Sequence, residues 1–306
     1  MSINFLHVAV LMGGFGEERE VSINSGKACS KALLDSNYKV TEIIVDENLP
    51  QKLQKTDPDV CFNALHGKFG EDGTIQGFLN TMKIPYTHSG VSASSIAINK
   101  LLTKSFLIES TRNELDPIMF PKNIKSNDIS YLEDLLPIVV KPICGGSSVG
   151  VKIIKNFEDL KNFSNFLIHD NLMIEPLVGN KELTVTVLKN QPLTVTEIVS
   201  RKGFFYDYDS KYTNNGSSHI LPAKIPKHIF DKAMSWALRA HQIIGCKGIS
   251  RSDFRYDDKL EILYLLEINT QPGMTETSLA PEQARFCEIN MSNLVNTLIC
   301  EAEWEN

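Results

Sequence analysis

The chain has 306 residues, 42% of them hydrophobic, and a formal net charge of −6. That length favours two or three domains with filled apolar cores, and the acidic balance without a long Lys/Arg run argues against a nucleic-acid groove or an anionic membrane surface as partner. No stretch approaches the roughly 20 apolar residues that span a membrane, and Cys29, Cys61, Cys144, Cys246, Cys287 and Cys300 form no C-x-x-C pair, so they read as small buried hydrophobes in a reducing, cytoplasmic setting.

The first apolar run, Val8–Met12, ends in Gly13-Gly14 and two glutamates, not in a signal-peptide cleavage pattern. It opens an alternation of strand and helix: a helix from about Ser22 to Leu34, strands at Val40–Val45 and Val60–Leu65, and a helix from about Gly73 to Met82. Strands separated by helices predict a parallel sheet, whose carboxyl edge would carry the loops Gly13–Glu18 and His66–Gly73 towards one ligand. A helical pattern from about Ser92 to Glu109 carries Lys100 and Lys104. Short strands at Ile138–Lys141, Val151–Ile154, Leu172–Glu175 and Leu183–Leu188, with a helix at about Phe157–Phe166, suggest a small antiparallel α+β module. A strand at Leu193–Ser200, a long polar loop at Phe204–Ser218, a helix after Pro226 to about Ile244 and apolar strands at Gly248–Phe254 and Ile262–Ile268 follow.

Four segments hold residue types suited to chemistry. Lys141-Pro-Ile-Cys-Gly145-Gly146-Ser147-Ser148-Val-Gly150 lies between two strand signals. Its glycines let backbone amides crowd a phosphate, its serines add hydroxyl donors and its lysine adds charge. The lysine precedes the glycines, so this is not a GxxxxGK[ST] loop, and a Gly-rich hairpin turn explains the same residues. Arg251-Ser-Asp253 and Glu267-Ile-Asn269 each place two polar groups on one strand face. Facing one another, the acids and amide make an oxygen-only set suited to Mg²⁺, or a charged solvent-facing strand pair. Their apolar flanks and the following turn Thr270-Gln-Pro-Gly273 favour the site, because such a turn aims N–H groups at a reacting atom. The turn Gly13–Ser22 departs from G-x-G-x-x-G and sets acids where a pyrophosphate would sit. It suits an ammonium, or acids that merely offset the helix dipole. Phe205-Tyr-Asp-Tyr-Asp-Ser-Lys211-Tyr212 in its long loop suits a closing lid, or a sticky surface loop.

In register, Glu18-Arg-Glu-Val-Ser, Ala64-Leu-His66-Gly with Gly70-Glu-Asp-Gly-Thr-Ile-Gln-Gly, Tyr86-Thr-His-Ser-Gly-Val, Val140-Lys-Pro, Gly146-Ser-Ser-Val-Gly, Phe205-Tyr-Asp-Tyr with Lys211-Tyr, Gly245-Cys-Lys-Gly, and Leu266-Glu-Ile-Asn-Thr with Pro272-Gly-Met-Thr resemble the D-alanine–D-alanine ligases of the ATP-grasp superfamily. The resemblance runs essentially end to end. It implies an α/β and α+β, three-domain ATP-grasp architecture: a Rossmann-like parallel domain over 1–91 with the first D-alanine site, a central subdomain over 92–181 with the phosphate loop and adenine side, and a C-terminal subdomain over 182–306 with the lid, metal and oxyanion sites.

The resemblance also implies roles. Glu18 would bind the ammonium of the first D-alanine and join Ser147 and Tyr212 in a hydrogen-bonded group, with His66 nearby. Lys100, Lys141 and Ser148 would hold ATP phosphates, and Lys211 on the lid would reach the γ-phosphate. Glu175 and the segment through Leu177 to Val178 would meet adenine, with Glu182 on the ribose. Asp253, Glu267 and Asn269 would ligate Mg²⁺, or Mn²⁺, with two ions per site. Arg251 and the Gly273 N–H would stabilise the oxyanion, and Ser278 and Leu279 would grip the carboxylate of the second D-alanine. ATP is the implied co-substrate, a homodimer the implied assembly, and neither nucleic acid nor membrane an implied partner.

Three departures from the family pattern stand out: Cys144-Gly145 replaces a frequent charged pair, Pro176 interrupts the adenine segment, and Asn99 replaces an acid beside Lys100. The nearest alternatives are a D-alanine–D-lactate ligase and another ATP-grasp carboxylate–amine ligase, although the latter should lack the Glu18, Tyr212 and Ser278 set. A dinucleotide-dependent oxidoreductase would leave Lys141, Lys211, Asp253 and Glu267 without a role.

Overall fold

A computed structural model of the chain describes residues 6–126, 128–146, 149–163, 171–200 and 217–305. Ser147, Ser148, Lys211, Tyr212, nearly all of the expected lid and the last three residues of the expected helix Phe157–Phe166 lie outside the described residues.

The chain begins with β1 (His7–Gly13), α1 (Arg19–Asp35), β2 (Lys39–Val45), α2 (Leu49–Thr56), β3 (Val60–Asn63) and α3 (Thr74–Met82). The strands form a parallel sheet in the order β2-β1-β3, so Gly13 and Asn63 end on one edge, as the alternation predicts. Every residue of β1 is buried, and strict alternation sorts its side chains between two cores. Val8, Val10 and Met12 meet Cys29, Ala32 and Leu33 of α1, while Ala9 and Leu11 meet residues of α2 and α3 such as Leu53 and Leu79. The α1 contact is close because Gly26 has no side chain, and a Cβ there would lie 2.6 Å from the Met12 Cβ. Ser22 joins the strand ends: its hydroxyl accepts from Gly13 N–H and donates to the Ala64 carbonyl, both at 2.8 Å.

The next segment departs from the continuous helix expected over Ser92–Glu109. It is two helices, α4 (Val91–Ile98) and α5 (Lys100–Thr111), broken at Asn99, where ψ is 102°. Asn99 caps α5, its Oδ1 accepting the N–H groups of Leu101 and Leu102, a cap worth about 1 kcal/mol. The break also turns Lys100 so that its N–H donates to the Ile143 carbonyl at 2.9 Å.

After α6 (Ile129–Glu133), the strands β4 (Ile138–Pro142), β5 (Lys152–Ile154) and, beyond α7 (Phe157–Phe163), β6 (Leu172–Pro176) form an antiparallel sheet in the order β5-β4-β6. The strand expected at Leu183–Leu188 does not join them. It is β7 (Lys181–Leu188), at the centre of an antiparallel sheet with β8 (Gln191–Ser200), β9 (Ser217–Ile220), β10 (Ile249–Asp257) and β11 (Ile262–Asn269), in the order β11-β10-β7-β8-β9. Packed on this sheet is α8 (Lys227–Ile244), whose Ile229, Ala233, Trp236, Ala237, Ala240 and Ile244 recur at helical spacing and share its core with Ala93, Ala97 and Leu107 of α4 and α5.

The chain closes with α9 (Leu279–Phe286) and α10 (Met291–Cys300). Leu294, Val295 and Leu298 of α10 return to the core under β1, so the last helix joins the first sheet to the rest. All six cysteines are free, but only Cys29, Cys61 and Cys246 are the buried hydrophobes expected; Cys144 and Cys300 are exposed because the Gly-rich turn after β4 and the outer face of α10 carry them outward. No described helix is long and apolar enough to cross a membrane.

Candidate active site

The register of β10 against β11 sets Asp253 opposite Glu267 and Arg251 opposite Asn269, so the expected oxygen-only set converges on one sheet edge. Asp253 is held on both oxygens: Arg251 donates from Nε at 2.9 Å and from Nη2 at 2.7 Å, and the Thr184 hydroxyl of the neighbouring strand donates at 2.7 Å. Lys100 Nζ lies 3.1 Å from Glu267 Oε2 and donates to the Gly145 carbonyl at 2.7 Å. That one ammonium thereby ties the acidic strand to the Gly-rich loop. The acids and bases of the site are paired with one another, which lets them share a partly buried edge at tolerable desolvation cost.

Behind them sits a more deeply buried ionic group. Glu175, 2% exposed, accepts from Lys141 at 2.7 Å and pairs with Lys104. Burial pushes the Lys141 ammonium down to about 8, with the Glu267 charge opposing the fall and the Lys100 ammonium adding to it. Lys104 is likewise lowered, by burial and then by the ammonium groups of Lys141 and Lys100. Burial thus disfavours the charged form of Lys141, and the Glu175 carboxylate at 2.7 Å is its partner in that setting.

Two cavities meet at this edge. The first is walled on the side of the Gly-rich loop by Lys100, Lys141, Gly145, Glu182 and Asp253. The second is walled by Glu18, His66, Asn269, Gly273 and Ser278. Gly146, Arg251, Glu267 and Leu279 line both, so the phosphate side and the Glu18 side share a wall made of the groups expected to handle transferred charge. Glu18 reaches this wall because Gly67 leaves room, and it lies in ordinary contact range of Gly146. A Cβ on Gly67, whose φ is +68°, would fall 2.3 Å from Glu18 Oε2, and one on Gly146 would fall 3.5 Å away.

The turn after β11 is anchored to the first sheet by buried polar side chains. The Gln271 N–H donates to Asn269 Oδ1 at 2.7 Å, and the Gln271 side chain exchanges hydrogen bonds with Asn63 at the end of β3. Met274 N–H donates to the Ser25 hydroxyl at 3.2 Å; that hydroxyl meets His66 Nε2 at 3.0 Å, and His66 Nδ1 lies 3.4 Å from Glu71. The Gln271 and Met274 bonds join residues 208 and 249 positions apart in sequence and set the direction of the Gly273 peptide between them.

Of the residues expected from sequence, Glu18, His66, Lys100, Lys141, Glu182, Arg251, Asp253, Glu267, Asn269, Gly273, Ser278 and Leu279 are brought to these two cavities. Glu175, Leu177 and Val178 are engaged elsewhere: Glu175 with its lysines, Leu177 N–H with the Pro137 carbonyl at 2.9 Å, and the Val178 carbonyl with Arg255. Arg255 also reaches Glu182 at 3.4 Å. Sequence reasoning assigns nothing to Thr184, Gln271, Asn63, Ser25 or Glu71. Two of them lie inside segments singled out in the sequence, Glu71 in Gly70-Glu-Asp-Gly and Gln271 in Thr270-Gln-Pro-Gly273, but without a role of their own.

Family models cover most of the chain. One described as the D-ala D-ala ligase C-terminus matches residues 119–300, and one described as the D-ala D-ala ligase N-terminus matches residues 46–89. The chain belongs to the D-alanine–D-alanine ligase family. A D-alanine–D-alanine ligase of Zymomonas mobilis is 46% identical over 97% of this chain and 94% of its own, and one of Bartonella henselae is 43% identical over 97% of both. Among solved structures, a D-alanine–D-alanine ligase from Bacillus anthracis superposes with a TM-score of 0.82 at 30% identity over 97% of both chains. The same enzyme complexed with ATP gives 0.81 at 29% identity. The fold is the ATP-grasp fold of this family, with its three-stranded parallel sheet at the N-terminus.

Proposed function

We propose that this protein joins two D-alanine molecules: ATP and two D-alanines give D-alanyl-D-alanine, ADP and phosphate, in the cytoplasm, for cell-wall precursor synthesis. The observation that carries the reading is the shared wall of Gly146, Arg251, Glu267 and Leu279 between a lysine-lined cavity and one holding Glu18 and Ser278. The two cavities are suited to a nucleotide and to amino acids respectively.

A carboxylate resists attack by an amine, so the first D-alanine must be activated. A carboxylate oxygen attacks the γ-phosphorus, the bond to the β-phosphate oxygen breaks, and ADP leaves. Lys100, Lys141 and Ser148 hold the phosphates, Lys211 reaches the γ-phosphate, and Glu18, with Ser147 and Tyr212, holds the substrate ammonium. The amine of the second D-alanine then attacks the acyl carbon, loses its proton, and phosphate departs as the amide forms. Arg251 and the Gly273 N–H would stabilise the oxygen that becomes negative, each donor contributing on the order of 3 kcal/mol. Ser278 and Leu279, at the start of α9, grip the second carboxylate.

Asp253, Glu267 and the Asn269 amide offer a hard-oxygen set that fits Mg²⁺, with Mn²⁺ as the alternative and two ions expected. Among the described residues no three His, Cys, Asp or Glu side chains gather around a metal site; the Asn269 amide oxygen, which also accepts the Gln271 N–H, is the proposed third donor. Asp253, Glu267 and Asn269 would hold such an ion, which would supply charge neutralisation during phosphoryl transfer. The three-domain division at 91 and 181, the adenine role of Glu175 to Val178 with Glu182 on the ribose, and a homodimer belong to the same reading, supported by the family resemblance.

A coupled ADP-release assay with ATP and Mg²⁺ tests the reaction. D-alanine should support turnover and its omission should abolish it. ADP release with L-alanine but none with D-alanine refutes the assignment, and a D-alanyl-D-lactate product in D-lactate controls would favour the depsipeptide ligase.

A further inference from the structure

At the centre of the five-stranded sheet the pairing of β7 with β8 slips between Val185 and Val187, leaving Thr186 without an opposite residue. Its N–H would be an unpaired donor in a buried sheet, a costly state. Gln283 of α9, 0% exposed, occupies the gap. Its Oε1 accepts the Thr186 N–H at 2.8 Å, and its Nε2 donates to the Thr184 carbonyl at 3.0 Å and to the Thr196 hydroxyl at 2.9 Å. One side-chain amide thus completes the interrupted ladder.

The two β7 residues it grips are those registered against the reacting groups: Thr184 pairs with Asp253 and Thr186 with Arg251. Thr184 also directs its hydroxyl onto Asp253. The helix that carries Gln283 starts at Leu279, directly after Ser278, and Leu279 lies in the wall common to both cavities. From this geometry we infer that Gln283 is a positioning residue: it locks the helix that receives the second amino acid's carboxylate to the strand that orients Arg251 and Asp253. The acceptor site and the oxyanion donor then move as one body. The inference rests on the ligase reading and adds to it a residue that controls the acceptor site specifically.

The test is Gln283→Met, which keeps length and volume but removes all three hydrogen bonds, alongside Thr196→Val, which removes one and keeps the helix contact. The rate of ADP release is followed against D-alanine at saturating ATP, to resolve the KM of the first and second sites, and against ATP at saturating D-alanine. Gln283→Met should raise the second-site KM about tenfold while the first-site and ATP KM stay within about twofold; Thr196→Val should shift the same KM by a smaller factor. Equal rises in all three constants, or no rise in the second, overturn the positioning role. If Gln283→Met does not fold, Thr196→Val decides the matter by the same criterion. A wild-type protein that releases no ADP with D-alanine defeats the ligase reading instead.

Discussion

Replacing Glu267 by Gln separates chemistry from folding at the site's centre. Glu267 Oε2 is 3.1 Å from Lys100 Nζ, and at an effective dielectric near 20 the gross attraction is about 5 kcal/mol. The Glu267 side chain is 29% exposed, however, so water screens the pair, and glutamine keeps the shape and one acceptor oxygen. The net stability loss should be on the order of 1 kcal/mol, or about 2–4 °C in Tm. Turnover should suffer far more, because the substitution removes one of two carboxylates from the proposed metal set and leaves Lys100 without its carboxylate partner. A loss of about a hundredfold or more is expected, in the range for removing a charge-handling group from a preorganised site. The assay is ADP release at increasing Mg²⁺, with thermal unfolding of the same preparations. A Tm loss as severe as the activity loss, or an unchanged Mg²⁺ dependence with full activity, refutes the assignment.

Gly67→Ala forces a Cβ to within 2.3 Å of Glu18 Oε2 at a φ of +68°; it should cost about 1–2 kcal/mol and raise the D-alanine KM with little effect on the ATP KM, and an unchanged D-alanine KM would count against the Glu18 role. Ser25→Ala leaves the Met274 N–H without its 3.2 Å acceptor, a loss of about 1–3 kcal/mol, and should lower kcat while ATP binding, followed by titration, holds; an unaffected kcat would detach Ser25 from the oxyanion turn. Burial lowers His88 from the ordinary 6.5 to about 3, with the neighbouring His66 adding to the fall, and burial lowers His241 to about 4. Well above pH 6.5 both rings are neutral whether folded or unfolded; as pH falls through 6.5 the unfolded chain gains protons that the native rings refuse, so stability falls as pH drops towards the folded values. The urea midpoint should decline over that window. His241→Asn, which removes the titrating ring beside Ser250, should flatten the decline, and an identical slope in the variant refutes this origin.

Much of the site is legible in the chain because its signals are local. Alternating strand and helix over the first third predicts the parallel sheet and the shared edge of Gly13 and His66. Two-residue spacing places Arg251 with Asp253, and Glu267 with Asn269, on common strand faces before any pairing is known. The break at Asn99 is hidden because the apolar pattern continues through it, although asparagine's capping preference is a signal. Short α9, with a proline inside it, and α10 give too little periodicity to predict, and the strand at Leu183–Leu188 reads as part of the central module only because its sequence neighbours belong there.

Residue types and their spacing over a few positions set out the candidate elements: a Gly-rich loop with a lysine before it, an oxygen-only acidic set and a family pattern running the length of the chain. Which groups touch is fixed by packing: Thr184 on Asp253, Gln271 on Asn63, Ser25 on the Met274 peptide, and Gln283 in the gap at Thr186. Those contacts join segments far apart in the chain, and a buried polar group acquires its partner only when the packed cores set distance and direction between elements that no local pattern relates.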